Sequence, residues 1–398
     1  MLPRLAIVLS HPTQYYSPWF RWLRAHAALE FRVFYLWKFG VETTRDPEFQ
    51  TAFAWDTDLL SGYDSEFVPN AARAPGTHHF MGLRNPSLNA RLAAWRPDAL
   101  LVFGYAYASH LRALAWARLH RRPTIFRGDS HFLGRPAPPG WKKILLRLLY
   151  RQFAAVTCVG AANRDYFIAL GVPVKKLFFA PHSVDDGLFD PGRADHRAAA
   201  QALRAQLGLA PETRVVLFAG KFTAAKQPRE LLDAFLALEA PNTALVFVGE
   251  GAEKDALLDR ARTAPPGRVH LLPFANQSEM PARYLLADLF VLPSRGLYET
   301  WGLAVNEAMR MGVPCLVSDL VGCQRDLVLD GETGWVFRAG EPADLRKKLS
   351  AALATPPGPW KEIKRAAGAR ISHYGFAQTT EGFLRALAFA APRPTRRA

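Results

Sequence analysis

Apolar runs of strand length alternate with amphipathic stretches of helix length along the whole chain. In the first half, the runs Leu5–Leu9, Phe31–Tyr35, Ala99–Phe103, Thr124–Arg127, Ala155–Val159 and Leu177–Ala180 predict strands. Helix-period stretches fall between several of them, at Ser17–Ala28, Ala108–His120 and Ala161–Leu170. Ser17 before Pro18 offers a capping hydroxyl and then a proline suited to the first helical position. Gly171 and Pro173 form a matching stop after Leu170. The second half repeats the pattern, with strands expected at Arg214–Ala219, Ala244–Val248, Val269–Leu271, Leu289–Leu292 and Cys315–Ser318. Helices are expected there at Arg229–Leu238, Glu253–Ala261 and Leu303–Met311. Continuous apolar strands alternating with helices predict parallel sheets covered on both faces. Two such arrays predict two similar α/β domains, at 1–190 and 212–375, joined by a polar, Ala/Arg-rich linker at 191–211. A basic, proline-containing tail at 391–398 is expected to be disordered. Ligands of such sheets bind beyond the carboxyl ends of the strands, so the loops there are where chemistry is sought.

Composition narrows the class. With 398 residues, 49% hydrophobic and 21% charged, the chain can bury a sizeable core. No apolar run reaches the ~18 residues needed to span a bilayer, and the first apolar run reads as a strand rather than a secretory leader. The three cysteines, Cys158, Cys315 and Cys323, lack metal-ligand spacing and suit a reducing cytosol. The net charge of +15 is uneven: residues 1–185 hold 23 Lys+Arg against 12 Asp+Glu. A basic first half attracts anionic partners, and charge alone does not select nucleic acid, lipid or a small molecule. No nucleic-acid-binding motif accompanies it.

Candidate chemistry gathers in the loops after the second-half strands. Gly220 and Lys221 follow one strand and Lys226 precedes Pro228; two lysines on a short loop can neutralise a diphosphate, or can be plain surface charges. Gly249 and Glu250 follow another strand in a GEG turn. Gly302 and Leu303 open a helix whose first N–H groups can hold phosphate. Glu299 precedes that helix and Glu307 lies within it. Two carboxylates suggest a glycoside hydrolase, but eight helical steps of ~1.5 Å separate them by roughly 12 Å. That exceeds the ~5–9.5 Å of an acid/base or nucleophile pair. The two therefore suit different parts of one long ligand, with Glu307 able to accept from a ribose diol.

The stretch Glu299-TWGLAVN-Glu307 followed by AMRMGVPCLVSDLVG resembles the E-x7-E signature of the retaining glycosyltransferase family 4. Further matches occur in family order: Gly220-Lys221 with Lys226, Val248-GEG, Leu272-PF, Ala287-DLFVLPS and Asp330-GETGW. In the first half, residues 11–23, 55–63 and 126–131 are similar to one subgroup. The resemblance implies a GT-B architecture: two Rossmann-like domains facing each other across a cleft, the first binding an acceptor and the second a nucleotide-diphosphate sugar. It implies that a helix near 376–390 crosses back to the first domain. Lys221 and Lys226 are then expected on the diphosphate, Glu307 on the ribose, and Leu272 to Phe274 at the base. Glu299 and the N–H groups of Thr300, Trp301, Gly302 and Leu303 are expected at the sugar and phosphate. Where the family often has a histidine near the sugar, the chain reads Arg127-GDSH, so Asp129 and His131 both remain open. His11, Gln14 and Tyr105 are assigned to the acceptor side. No metal or other cofactor is implied, and no nucleic-acid partner.

The match also has departures. The loop after the first strand reads Ser10-His11-Pro12-Thr13 where paired glycines are common, and Cys323 stands where a second glycine is usual, which argues against close backbone approach there. Asp56-Thr57-Asp58 is a D-x-D, the metal motif of a different glycosyltransferase fold, without that fold's context. Trp141-KKILLRLLYRQF is a basic amphipathic helix; such helices lie on anionic membranes, although the simpler reading is that its leucines cover the sheet. The acceptor is thus a glycan, a lipid-linked sugar or a small molecule, and peripheral membrane contact is open. Other readings are an epimerase or a phosphorylase on the same fold, a silent nucleotide-sugar binder, or a non-catalytic, basic nucleic-acid-binding protein.

Overall fold

The computed structural model describes residues 3–46, 48, 50–136, 138–295 and 299–391. The tail from 392 onward, and positions 296–298 just before Glu299, lie outside the described residues. The first domain carries β1 (Arg4–Leu9), β2 (Glu30–Tyr35), β3 (Thr44–Arg45), β4 (Ala52–Phe53), β5 (Ser65–Phe67), β6 (Ala99–Phe103), β7 (Thr124–Arg127), β8 (Ala155–Cys158) and β9 (Leu177–Phe179). Seven of these form a sheet in the order β5-β2-β1-β6-β7-β8-β9, parallel in its paired registers, while β3 and β4 make a small antiparallel hairpin. The second domain has β10 (Arg214–Ala219), β11 (Thr243–Val248), β12 (Val269–Leu272), β13 (Leu289–Leu292), β14 (Cys315–Ser318) and β15 (Gly334–Phe337). They form a parallel sheet in the order β12-β11-β10-β13-β14-β15.

The expected strands form with shifts of about one residue at their ends; the central ones are buried on both faces, Leu5 to Val8 and Val215 to Phe218 being fully inaccessible, while the edge strands β9 and β12 are only partly covered. In each sheet the chain order reverses beside the first strand. β1 lies between β2 and β6, and β10 lies between β11 and β13. Such reversals open a crevice at the carboxyl ends of the strands.

Local details differ from expectation in instructive ways. The first helix spans Tyr16–His26, and Ser17 sits inside it, fully buried, accepting a hydrogen bond from the Tyr63 hydroxyl. Thr13 takes the capping role, its Oγ1 accepting from the N–H of Tyr16 at 3.2 Å. The stretch expected to be a linker folds as the helix Ala194–Gln206, which buries His196, Ala200 and Leu203. Leu203 and Leu209 join the core of the second domain, so 191–211 is structured and packed rather than a polar spacer. The last helix, Phe376–Ala390, lies on the first domain, where Phe376, Phe383, Ala386 and Leu387 share a core with Leu5, Ile7 and Trp19. The close fit needs Gly382, since a Cβ there would come within 1.7 Å of the Phe179 carbonyl oxygen. Among the described residues no helix is long and apolar enough to cross a membrane, and the three cysteines are buried and free.

Candidate active site

The carboxyl ends of β1 and β10 lead into the same space. Beyond β1 come Gln14 and Tyr15; beyond β10 come Gly220 and Lys221; beyond β13 come Ser294 and Glu299. Together with Asp129 after β7 and the start of the helix Leu303–Arg310, they line a cleft of about 510 Å³ between the domains.

Glu299 is the hub of this cleft. The residue is 9% exposed; its carboxylate is paired with the Lys226 ammonium and accepts from Ser294 Oγ at 2.8 Å. Its main-chain carbonyl accepts from the N–H of Gly322 and from His131 Nε2 at 3.1 Å. His131 Nδ1 accepts from the Leu133 N–H, so the proton is on Nε2. Burial holds the His131 ring below the ordinary histidine range and keeps it neutral. His131 is therefore behind the wall rather than facing the cleft, while Asp129 lines it. Burial pushes the Asp129 carboxyl upward, but the Thr300 hydroxyl, donating at 2.9 Å, and His182, 3.5 Å away, outweigh it and hold the group below its usual value.

Glu307 belongs to a separate network. It is 4% exposed and accepts from the Tyr284 hydroxyl at 2.7 Å and from Gln277 Nε2 at 3.2 Å. Burial raises its pKa despite these donors. Glu299 and Glu307 thus have different partners, in keeping with different roles along one ligand. Gly302 (φ +97°) makes the turn into the helix Leu303–Arg310, in a left-handed conformation that suits glycine. Leu303 and Ala304, in the first turn, lie at the cleft wall, where N–H groups have no helical carbonyl. Trp301 is buried, donating Nε1–H to Asn306 Oδ1 at 2.8 Å. The tight approach beside Cys323 is made after all: Gly322 brings the backbone so close that a Cβ would fall 1.9 Å from the Thr300 carbonyl oxygen.

Lys221 lines the cleft but is paired with two carboxylates of the first domain, Asp46 at 3.3 Å and Glu48. Those residues belong to the segment around the β3–β4 hairpin, which reaches across to the second domain. Phe53 packs on Phe274 with ring centroids 4.8 Å apart, and Trp55 lies 6.5 Å from the same ring. Asn276 donates to the Ala54 carbonyl at 2.8 Å. Asp56 of the D-x-D caps this contact by accepting from the N–H and hydroxyl of Ser278, and Asp58 accepts from the N–H groups of Leu60 and Ser61. Both aspartates serve turns and interdomain contact, and no metal-holding cluster occurs among the described residues.

Several candidates lie elsewhere. Glu250 pairs with Lys254 at 2.8 Å and Leu272 packs into the core, both outside the cleft lining, whereas Gly220, Gly249 and Phe274 are within it. A Cβ on Gly249 would meet the Gly220 carbonyl oxygen at 2.0 Å, so these two loops touch through bare backbone. Of the acceptor-side candidates only Gln14 lines the cleft. His11 packs between Trp37 and Phe39, its pKa lowered by burial to about 4. Tyr105 packs against Phe126 and Tyr150. Residues that sequence reasoning missed are Tyr15, Asp46, Glu48, Phe53, Trp55, Gln277 and Tyr284, all in the lining. Local signals exist for three of them: Tyr15 and Trp55 fall within the matched segments 11–23 and 55–63, and Gln277 lies within the Asn276…Glu279 capping box.

Residues 200–368 match the family model described as Glycosyl transferases group 1. A D-inositol 3-phosphate glycosyltransferase of Nocardia farcinica is 33% identical over 227 residues, covering 54% of this chain and 48% of the relative. The chain spans about half the length of the curated relatives it matches. The crystal structure of Anabaena HepE in complex with UDP and glucose superposes with a TM-score of 0.71 at 18% identity, over 97% of this chain and 99% of that one. WaaG, a glycosyltransferase involved in lipopolysaccharide biosynthesis, superposes with a TM-score of 0.64 at 15% identity, over 98% of this chain and 100% of that one. Residues 200–368 are thus similar to a glycosyl transferases group 1 domain, and they lie within a two-domain GT-B fold.

Proposed function

We propose that the protein transfers a sugar from a nucleotide-diphosphate sugar to an acceptor hydroxyl, with retention at the anomeric carbon, in the synthesis of a glycan, glycolipid or polysaccharide. The observation that carries this reading is the convergence of the Lys226–Glu299 pair, the Leu303 helix start and the buried Glu307 on one interdomain cleft. In this reading Glu307 holds the ribose, and Lys226 with the first-turn N–H groups takes up charge on the departing diphosphate. Lysines rather than a metal supply the positive charge. Glu299 and Asp129 face the sugar, and the first domain presents the acceptor. The leaving phosphate takes the acceptor's proton, so no protein nucleophile is needed.

Titration calorimetry with nucleoside diphosphates tests this. The wild-type chain is expected to bind at least one of them, and Glu307→Ala to bind it at least ~10-fold more weakly, as expected for loss of a charged hydrogen bond. No binding by the wild type, or equal binding by both, overturns the site. Transfer to an acceptor, followed by the anomeric configuration of the product, tests the reaction itself.

A further inference from the structure

The helix Gly140–Tyr150 has two apolar faces where a surface helix needs one. Leu146 and Tyr150 turn inward to a core with Phe126, Phe153 and Phe167. On the other side Trp141, Ile144, Leu145 and Leu148 stand 48–65% exposed. Their i, i+3, i+4, i+7 spacing puts them on a single stripe. At 100° per residue, Arg147 and Arg151 border that stripe on one edge and Lys142 on the other. The simpler expectation, that the leucines cover the sheet, holds for Leu146 but fails for Leu145 and Leu148.

Neighbouring elements widen the face. Arg118 donates to Gln152 just beyond the helix, bringing in the end of Ala108–Leu119. Gly171 lies against the Arg147 side chain, bringing in the turn before Val174. Leu119 and Val174 are exposed there as well. Residues 111–176 hold 13 Lys+Arg and 2 Asp+Glu, a surplus of 11 that equals the surplus of residues 1–185. The two acids are engaged away from the stripe: Asp129 lines the cleft and Asp165 pairs with Arg325 at 2.7 Å. The cleft lining takes its two cations, Lys221 and Lys226, from the second domain. The basic surplus of the first domain therefore serves something other than the cleft.

We propose that this face docks on an anionic lipid bilayer. The helix lies in the plane of the surface, its exposed stripe enters the headgroup–acyl boundary, and the flanking cations meet lipid phosphates. A second copy of the chain or another protein could cover an apolar stripe, but cations on both edges with no free acid among them match a phosphate-rich surface better. In sequence the helix follows the stretch that begins beyond β7 with Asp129, a residue of the cleft lining. This proposal stands on the exposed face and does not depend on the reaction assigned above.

Vesicle flotation of the full chain provides the test, with phosphatidylcholine alone and with phosphatidylcholine containing about one-third phosphatidylglycerol, at ~0.1 M and ~0.5 M salt. Binding is expected to the anionic vesicles, weakened by salt, and reduced at least ~10-fold in the Leu145→Glu/Leu148→Glu variant. Thermal unfolding and nucleotide binding of that variant should match the wild type, since both positions are exposed and outside the cleft. Three results would overturn the proposal: no flotation with anionic vesicles, undiminished flotation of the double variant, or a wild-type dimer in sedimentation that the double variant disperses.

Discussion

His131 donates its Nε2 proton to the main-chain carbonyl of Glu299 at 3.1 Å, joining a first-domain loop to the residue that holds Lys226. The ring is neutral and fully committed, with Nδ1 occupied by the Leu133 N–H. It is thus a positioning residue. His131→Ala should lower kcat about 10-fold through misplacement of Glu299, with nucleotide affinity changed less than ~2-fold. The pH–rate profile should keep its shape between pH 6 and 8; loss of an ionisation there would mean that the ring exchanges protons with substrate.

Lys226 is the cation closest in connection to both Glu299 and the cleft. Replacing it by methionine keeps the aliphatic stem and removes the charge. Turnover should fall about 10²–10³-fold, the usual cost of losing one electrostatic contact to a developing anion. Steady-state kinetics with saturating donor separates this from a binding defect, and a wild-type kcat would remove Lys226 from the mechanism.

Glu307 carries a pH signature. Burial raises its pKa in the fold, so its ionisation destabilises the native state above that pKa, and the penalty is relieved as pH falls through it. Glu307→Gln should therefore melt higher than wild type near pH 8, with the gap closing toward pH 5. His11 and His110, held down to about 4 and about 3 by burial, lose stability in acid in both proteins and cancel in the comparison. A gap that widens toward acid would contradict the assignment.

Lys221 reaches the cleft already paired with Asp46 and Glu48. A diphosphate must compete with those carboxylates for its charge. Glu48→Gln should tighten nucleoside-diphosphate binding about 2- to 5-fold, the scale of a part-exposed ion pair. Unchanged affinity in calorimetry would show that Lys221 does not reach the phosphates.

The strands were legible because parallel strands buried on both faces read as unbroken apolar runs, as Val215–Ala219 does. Ala194–Gln206 was not, because its buried stripe consists of a histidine, an alanine and a leucine among charged and small residues. Glu299, Lys226 and Glu307 could be named from a motif. Sequence could not say that Asp129 faces the cleft while His131 supports it from behind, since both follow the same strand and only packing separates them. The hairpin segment with Asp46 and Phe53 was equally hidden, because its partners Lys221 and Phe274 lie more than 170 residues away.

The return of Phe376–Ala390 to the first domain makes the second domain an insert in the first. Trp19 donates to Thr380 Oγ1 at 3.0 Å, and Phe383 fills a first-domain core. Truncation near residue 190 would leave that core without its lid of phenylalanines and leucine. Recombination between relatives would therefore preserve folding best with two crossover points, one near 190 and one near 375, exchanging the intervening domain as a cassette while both ends of the chain stay with their own sheet.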